Sequence, residues 1–300
     1  MALRAIALTT TALVAIASAV NPAQAAGQYM GKVNLGLGFA WEDWGDDDGG
    51  ENGNDSIDLE YTTLHGSASV NVPYNDRVNF QFDIEGSESL DEGWDCGDVC
   101  GSFYGGFMAG AHLNYRDEEG ALGVWGALGR ANIGSTYSTH FVVYGAGIEG
   151  QYFCNAWTLG AQVGYLDTDE SGYGLMKEVG FIRLDGNYYP SKHLKLSAGV
   201  GYLDGNTTGS DRASDVTEWN YGFSIEYLFG KTMPISTYLE YRGQNSEAYS
   251  PNEFEGDRHE VRWGVRFMFG GGGDDLMEAD REGAGMRSPD LITWLRFDRS

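Results

Sequence analysis

The chain has 300 residues and a formal net charge of −25, with 44 Asp and Glu against 19 Lys and Arg. That balance excludes nucleic-acid binding through a basic surface. With Gly at 45, Tyr at 18 and Pro at only 6, the composition is wrong for a disordered chain and suits curved strands edged with aromatic rings.

Met1-Ala2-Leu3-Arg4 is followed by a small, apolar run from Ala5 to Val20, then by Ala23-Gln24-Ala25. A charged start, an apolar run and an A-x-A site predict a secretory signal peptide over residues 1–25. The run is short for a spanning helix, which needs about 20 apolar residues.

Beyond it, apolar and polar side chains alternate with a period of two, the signature of strands with one greasy and one wet face. The first predicted strand, 28–41, puts Val33, Leu35, Leu37, Phe39 and Trp41 on one face and Lys32, Asn34, Gly36 and Gly38 on the other. The second, 56–72, slips phase near Thr62-Thr63, which predicts a bulge. In the third, 77–86, Val78, Phe80, Phe82 and Ile84 oppose Asn79, Gln81, Asp83 and Glu85. The fourth, 102–115, turns Phe103, Phe107, Ala109, Ala111, Leu113 and Tyr115 outward. The fifth, 120–133, is rich in Gly and Ala, and Trp125 is taken as its outward mark.

The sixth strand, 139–153, has Val142, Tyr144, Ala146, Ile148 and Tyr152 outward; the seventh, 155–167, has Trp157, Leu159, Ala161, Val163 and Tyr165. The eighth, 177–189, turns Ile182, Leu184 and Tyr188 out and Arg183, Asp185 and Asn187 in. Leu194, Leu196, Ala198, Val200 and Tyr202 mark the ninth, 193–203. The tenth, 219–227, alternates most strictly, from Trp219 through Tyr221, Phe223 and Ile225 to Tyr227. Strand eleven, 235–244, shows Ile235, Thr237, Leu239 and Tyr241; strand twelve, 257–269, sets Val261, Trp263, Val265, Phe267 and Phe269 against Glu260, Arg262, Gly264 and Arg266.

Connections near 74–76, 116–119, 153–155, 190–193 and 230–234 are tight. Those near 42–56, 86–101, 168–176, 204–216 and 245–256 are longer and acidic, and the one near 134–138 is short. Such asymmetry, with strands of about ten residues, is the pattern of transmembrane barrels. The fold class expected is all-β: a transmembrane antiparallel up-and-down β-barrel of about 12 strands over residues 26–270. A soluble sandwich or lipocalin-like barrel also alternates, but points its apolar face inward.

Over residues 26–270 the chain resembles Gram-negative outer-membrane β-barrel proteins of the porin-like kind. The alternating strands carry the resemblance, together with the last of them, Val261-Arg262-Trp263-Gly264-Val265-Arg266-Phe267-Met268-Phe269, which is similar to the family's C-terminal assembly signal. About thirty residues follow Phe269, however, so that Phe269 and Phe297 compete as the terminal aromatic. Residues 271–300 are expected to form a flexible periplasmic tail after the Gly270–Gly273 joint. The resemblance implies an outer-membrane location with both termini periplasmic. It implies contact with membrane lipid, lipopolysaccharide and the barrel-assembly machinery, and it sets no oligomeric state.

The wet face is predicted to carry Lys32, Asp83, Glu85, Arg130, Glu149, Arg183, Asp185, Lys195, Glu226, Glu240, Arg242, Glu260, Arg262 and Arg266. Seven acids and seven bases nearly balance, which leaves the negative excess to loops and tail. These charges either pair across neighbouring strands or form acidic and basic walls facing across water. Twelve strands lie between a side-chain-filled barrel and a wide aqueous pore. The function expected is a narrow passive channel for small solutes or ions, constricted by a folded loop. A closed structural or interaction barrel whose tail contacts a partner is the alternative.

Asp46, Asp48 and Glu51 in the first acidic loop offer oxygen ligands for Ca²⁺, but without EF-hand spacing; a solvated loop is the simpler account, and no cofactor is expected. Cys96 and Cys100 suit a small-loop disulfide in an oxidising compartment, with a metal pair as the alternative although no second Cys or His pair at zinc spacing accompanies them, whereas Cys154 stands alone. His65, His112, His140, His193 and His259 fit no catalytic motif, so an outer-membrane hydrolase is the third and weakest alternative.

Overall fold

The structure, a computed structural model, describes residues 29–46, 57–90, 105–133, 139–169, 176–207, 214–229, 234–249, 254–271 and 274–287. The signal-peptide segment, Asp48, Glu51, Cys96, Cys100 and Phe297 lie outside these, as does the side chain of Asp46.

Twelve strands follow in order: β1 (Met30–Asp46), β2 (Ile57–Pro73), β3 (Val78–Ser89), β4 (Gly105–Arg116), β5 (Gly120–Ile133) and β6 (Thr139–Cys154), then β7 (Trp157–Thr168), β8 (Met176–Ser191), β9 (Leu194–Thr207), β10 (Ser214–Leu228), β11 (Ile235–Tyr249) and β12 (Phe254–Phe269). Each pairs antiparallel with its neighbours in sequence, and β1 pairs with β12 to close the barrel. The closing ladder runs unbroken from Gly31↔Phe269 to Asp46↔Phe254. Closure leaves no unpaired sheet edge, which is the condition for strands to cross a hydrocarbon layer.

The alternation points outward as expected. Leu37, Phe39, Phe107, Leu113, Ile148, Leu159, Ile182, Phe223 and Trp263 are exposed around the circumference. Water would make so many exposed apolar side chains costly, whereas lipid makes them favourable.

Turn chemistry closes the hairpins at one end. Asn155, at φ 49°, takes the left-handed conformation that a two-residue turn between Cys154 and Trp157 requires. Asp117 Oδ1 accepts from the amides of Glu119 and Gly120, and Asn75 Oδ1 from those of Arg77 and Val78. This turn end also holds Met30 and Phe269, the outer limits of β1 and β12.

Three expectations are corrected. The β1–β2 ladder has no irregularity at Thr62-Thr63; the register shifts lie in β8, at Lys177/Gly180 and Tyr188/Ser191. Much of what reads as acidic loop is strand: residues 42–46, 204–207, 214–218, 245–249 and 254–256 continue the ladders past the apolar belt. Charged side chains hide the strand signal there, yet pairs such as Glu42↔Arg258 keep the hydrogen-bonded ribbon together.

The third correction is the tail. Gly270 adopts φ +89°, where a Cβ would meet the Tyr29 carbonyl oxygen, and the chain turns back beneath the barrel. A short helix, α1 (Leu276–Glu282), follows, and residues 274–287 occupy the lumen rather than forming a flexible tail. Asp275 caps α1 by accepting from the amides of Met277 and Glu278. Two turns of helix are not stable alone. Packing of Leu276 with Tyr189, Leu228 and Met268 supplies the support.

Candidate functional site: the charged lumen and its C-terminal plug

Inward-facing residues divide the lumen into two unlike halves. From β4 to β10, towards the long-loop end, Met108, Trp125, Val143, Leu166, Phe181, Leu203 and Val216 form a buried apolar cluster inside the barrel. Trp125 is only 3% exposed, which corrects its use as an outward mark. Its indole lies over Gly145, Gly147 and Gly164, where added Cβ atoms would fall 3.3, 2.7 and 2.6 Å from ring atoms. Glycines on β6 and β7 therefore make the space that turns this ring inward.

Reversing the face of β5 also moves Arg130. Leu122, Val124 and Leu128 are exposed on the outer face, and Arg130 shares their parity. It stands near the loop end of the strand, where a long cation reaches the polar edge of a bilayer, and does not line the lumen.

Across from the apolar half lies a polar cavity of about 290 Å³. Its lining extends from Lys32 and Arg266 near the turn end to Gln244 and Arg258 near the loop end. Twelve of the fourteen predicted lumen charges line it: Lys32, Asp83, Glu85, Arg183, Asp185, Lys195, Glu226, Glu240, Arg242, Glu260, Arg262 and Arg266. Glu149 points inward but is buried beside His112.

Charges alternate on the cavity wall. Glu240 faces Arg262 and Arg242 faces Glu260 across the β11–β12 ladder, which makes a chequered block of four. Within it, Arg242 Nε lies 3.1 Å from Glu240 and Arg262 Nη2 lies 2.7 Å from Glu260. Arg266 reaches across β11 to Glu226 at 2.5 Å and donates to Asn34 at 2.6 Å. Local pairing thus dominates over opposed walls, and in each of these pairs the partner offsets the desolvation of the buried charge.

Sequence reasoning passed over several members of the site. Arg258 lies 3.0 Å from Glu42 and 3.4 Å from Glu260, and Glu42 also accepts from the Tyr61 hydroxyl. His112 is clamped by Asp83 at 2.6 Å and Glu149 at 2.7 Å, one carboxylate on each ring nitrogen. His65 meets Glu260 and Thr63 through the same nitrogen, each at 2.7 Å. Arg258 and His112 already share the inward parity of predicted strands, whereas Glu42 lies just past the predicted end of the first strand and His65 follows the predicted phase slip of the second. Asp280, by contrast, belongs to a segment with no strand period.

The C-terminal segment completes the site. Asp280 lies 2.9 Å from Lys195 and 3.8 Å from Lys32, and accepts from the Tyr189 hydroxyl at 2.9 Å. Burial opposes its ionisation, but Lys195, Lys32 and Arg266 outweigh that and hold the carboxyl well below its ordinary range. Arg281 donates to Thr158 and to the carbonyls of Asn155 and Trp157 at the barrel mouth. Beyond α1, residues 283–287 rise to mid-lumen, where Arg287 approaches Glu240 at 3.5 Å. The constriction described is thus this segment together with the Trp125 cluster.

Cys154 is a free, half-buried thiol at the last position of β6. Among the described residues, no group of three or more His, Cys, Asp or Glu side chains is placed to hold a metal ion.

A closed twelve-strand barrel with an apolar exterior and a charged interior defines the outer-membrane β-barrel class. Neither a protein-family model nor a curated protein matches the sequence. Solved structures similar to the chain are outer-membrane proteins. A loop L8 deletion mutant of OmpT, an outer membrane protein of Vibrio cholerae, is 13% identical, with 80% of this chain and 99% of that one covered and a TM-score of 0.41. The P. putida toluene transporter TodX is 9% identical over 81% and 90%, with a TM-score of 0.43. The translocator domain of autotransporter NalP from Neisseria meningitidis is 14% identical over 89% and 94%, with a TM-score of 0.42.

Proposed function

We propose that this protein is a narrow outer-membrane channel for small hydrophilic solutes or ions, restricted by its own C-terminal segment. The observation that carries the reading is the cavity of about 290 Å³, lined with paired charges along one side of the barrel. Charges of both signs at this density need water around them, and a wet strip beside a dry apolar wall provides a path for small polar molecules. Its mixed charge suits zwitterionic or weakly charged solutes better than strongly charged ones. Both described ends of the barrel lie with the tight turns, which supports a periplasmic position for them.

Swelling of proteoliposomes loaded with a large polymer tests this directly. Entry of glycine or glycerol but not of disaccharides is expected; swelling no faster than in protein-free vesicles rejects the reading.

A second reading, a structural barrel with a closed lumen, is favoured by one observation: the C-terminal segment is bonded to strands on several sides of the barrel. His65 spends one nitrogen on both Thr63 and Glu260, so this cluster does not set acid, base and nucleophile in series.

A further inference from the structure

We infer that the lumen contains a binding site for a peptide main chain, of which the protein's own residues 281–287, the last two of α1 and the five that follow, are the resident occupant. The evidence lies in what the wall side chains touch. Asn71 on β2 donates to the carbonyl of Glu282 at 3.0 Å. Arg116 on β4 donates to the carbonyls of Arg281 at 2.5 Å and Gly283 at 3.0 Å. Gln151 on β6 donates to that of Gly285 at 2.9 Å, and Gln162 on β7 to that of Arg287 at 3.0 Å.

Gln81 on β3 makes the most telling contact. Its amide donates to the Met286 carbonyl at 2.7 Å and its oxygen accepts from the Met286 amide at 3.0 Å. A side-chain amide here copies the pairing of a neighbouring strand. Five side chains from five strands thus address the main chain of six of the seven residues 281–287, and four of the five are buried. None of these contacts reads a side chain of the occupant. Main-chain recognition of this kind gives affinity without tight sequence selection.

Further polar capacity surrounds the seat. Nε and Nη2 of Arg116, both polar atoms of the Asn114 side chain, and the side-chain oxygens of Asn71, Gln151 and Gln162 are buried without a hydrogen-bond partner. Groups of this kind are costly to leave unpaired, and here they converge on one strip of wall.

The ligand class follows from the occupant. Gly283 and Ala284 are buried, so the peptide needs small residues at its centre. An acid three residues before Gly283 meets Lys195, and a cation three residues after Ala284 meets Glu240. Entry is from the turn end, where α1 now lies. The site does not depend on whether the lumen conducts, so an electrically silent barrel would leave it standing.

The test begins with the full chain, carrying a protease site inserted between Gly272 and Gly273 and cut only after folding. The freed tail fragment is expected to stay with the barrel through gel filtration. It should exchange, saturably, with a dye-labelled synthetic peptide of residues 274–290. A peptide that keeps Asp280, Gly283-Ala284-Gly285 and Arg287 but has unrelated side chains elsewhere should bind within about tenfold of the native peptide, whereas Val at positions 283–285 should abolish binding. Loss of the fragment with no uptake of labelled peptide overturns the inference. So does binding of the native peptide alone, since recognition would then lie in side chains. The paired barrel variant Gln81→Leu with Gln151→Leu should weaken both competent peptides alike, at least tenfold; equal affinity with the unaltered barrel counts against the inference. The peptide variants leave the barrel untouched, so they decide the matter even if this barrel variant does not fold.

Discussion

Lys195 and Glu226 stand directly opposite each other in the β9–β10 ladder, 2.8 Å apart, and the same ammonium reaches Asp280 of the C-terminal helix at 2.9 Å. One wall cation thus serves both a wall carboxylate and the plug. Replacing Asp280 by Asn keeps the shape, removes the charge and leaves Lys195 with Glu226. The seat of α1 should weaken by about 2 kcal/mol, the scale of a hydrogen bond between charged groups. Limited proteolysis after Arg281 checks this: cleavage should be faster in Asp280→Asn while the barrel keeps its heat-modifiable gel migration.

Acid should release the plug with a defined sign. Since the folded-state pKa of Asp280 is depressed, its stabilisation is complete above the ordinary carboxylate range and is lost as pH falls below it. Glu278 is shifted the other way, raised first by burial and then by Glu282, Asp275 and Asp274. Its protonation in mild acid therefore favours the helix. Hydrogen exchange of the α1 amides should stay protected from neutral pH down to about pH 4 and lose protection only below that.

The inward indole carries a prediction of its own. Trp125→Ala removes a large buried ring from the lumen cluster and should cost about 3–5 kcal/mol of barrel stability. Gly147→Ala should destabilise as well, because its Cβ would lie 2.1 Å from the Val163 carbonyl oxygen. Urea titrations in lipid vesicles, followed by tryptophan emission for Gly147→Ala and by gel migration for both variants, measure the two effects.

Arg130 and Arg262 separate the two faces. Arg130→Ala should leave stability within about 0.5 kcal/mol of the unaltered protein, as surface changes usually do. Arg262→Ala should cost about 1.5–3 kcal/mol, because Glu260 then keeps Arg258 as its cation, with hydrogen bonds to His65 and Thr63 beside it. Comparable losses from both substitutions in the same titration would put Arg130 back in the lumen.

The turn at Asn155 is sensitive to backbone conformation alone. At φ 49°, Asn155→Val should cost about 1–2 kcal/mol, whereas Asn155→Gly should be close to neutral. Unfolding midpoints of the two variants give the comparison.

Most of the barrel was legible because lipid outside and water inside impose opposite demands on successive residues. In β1, β3 and β12 large apolar side chains face small or polar ones, and Lys32, Asp83 and Arg262, which parity puts on the inner face, line the cavity. In β5 the small residues around Trp125 removed that contrast. A large ring marks the outer face only where nothing inside has room for it, and Gly145, Gly147 and Gly164 lie on other strands. The strand ends beyond the apolar belt were hidden for a related reason: both their faces are polar. Asp280 and the main-chain seat of residues 281–287 escaped because they arise from chain reversal at Gly270, which no periodicity records.

Single-channel recording in planar bilayers tests the central claim most directly, that water and ions occupy the charged side of this lumen beside a seated C-terminal segment. The unaltered protein should give small, discrete currents, and Asp280→Asn should raise their amplitude or open time. Currents indistinguishable from the bare bilayer for both proteins would contradict a permeable lumen.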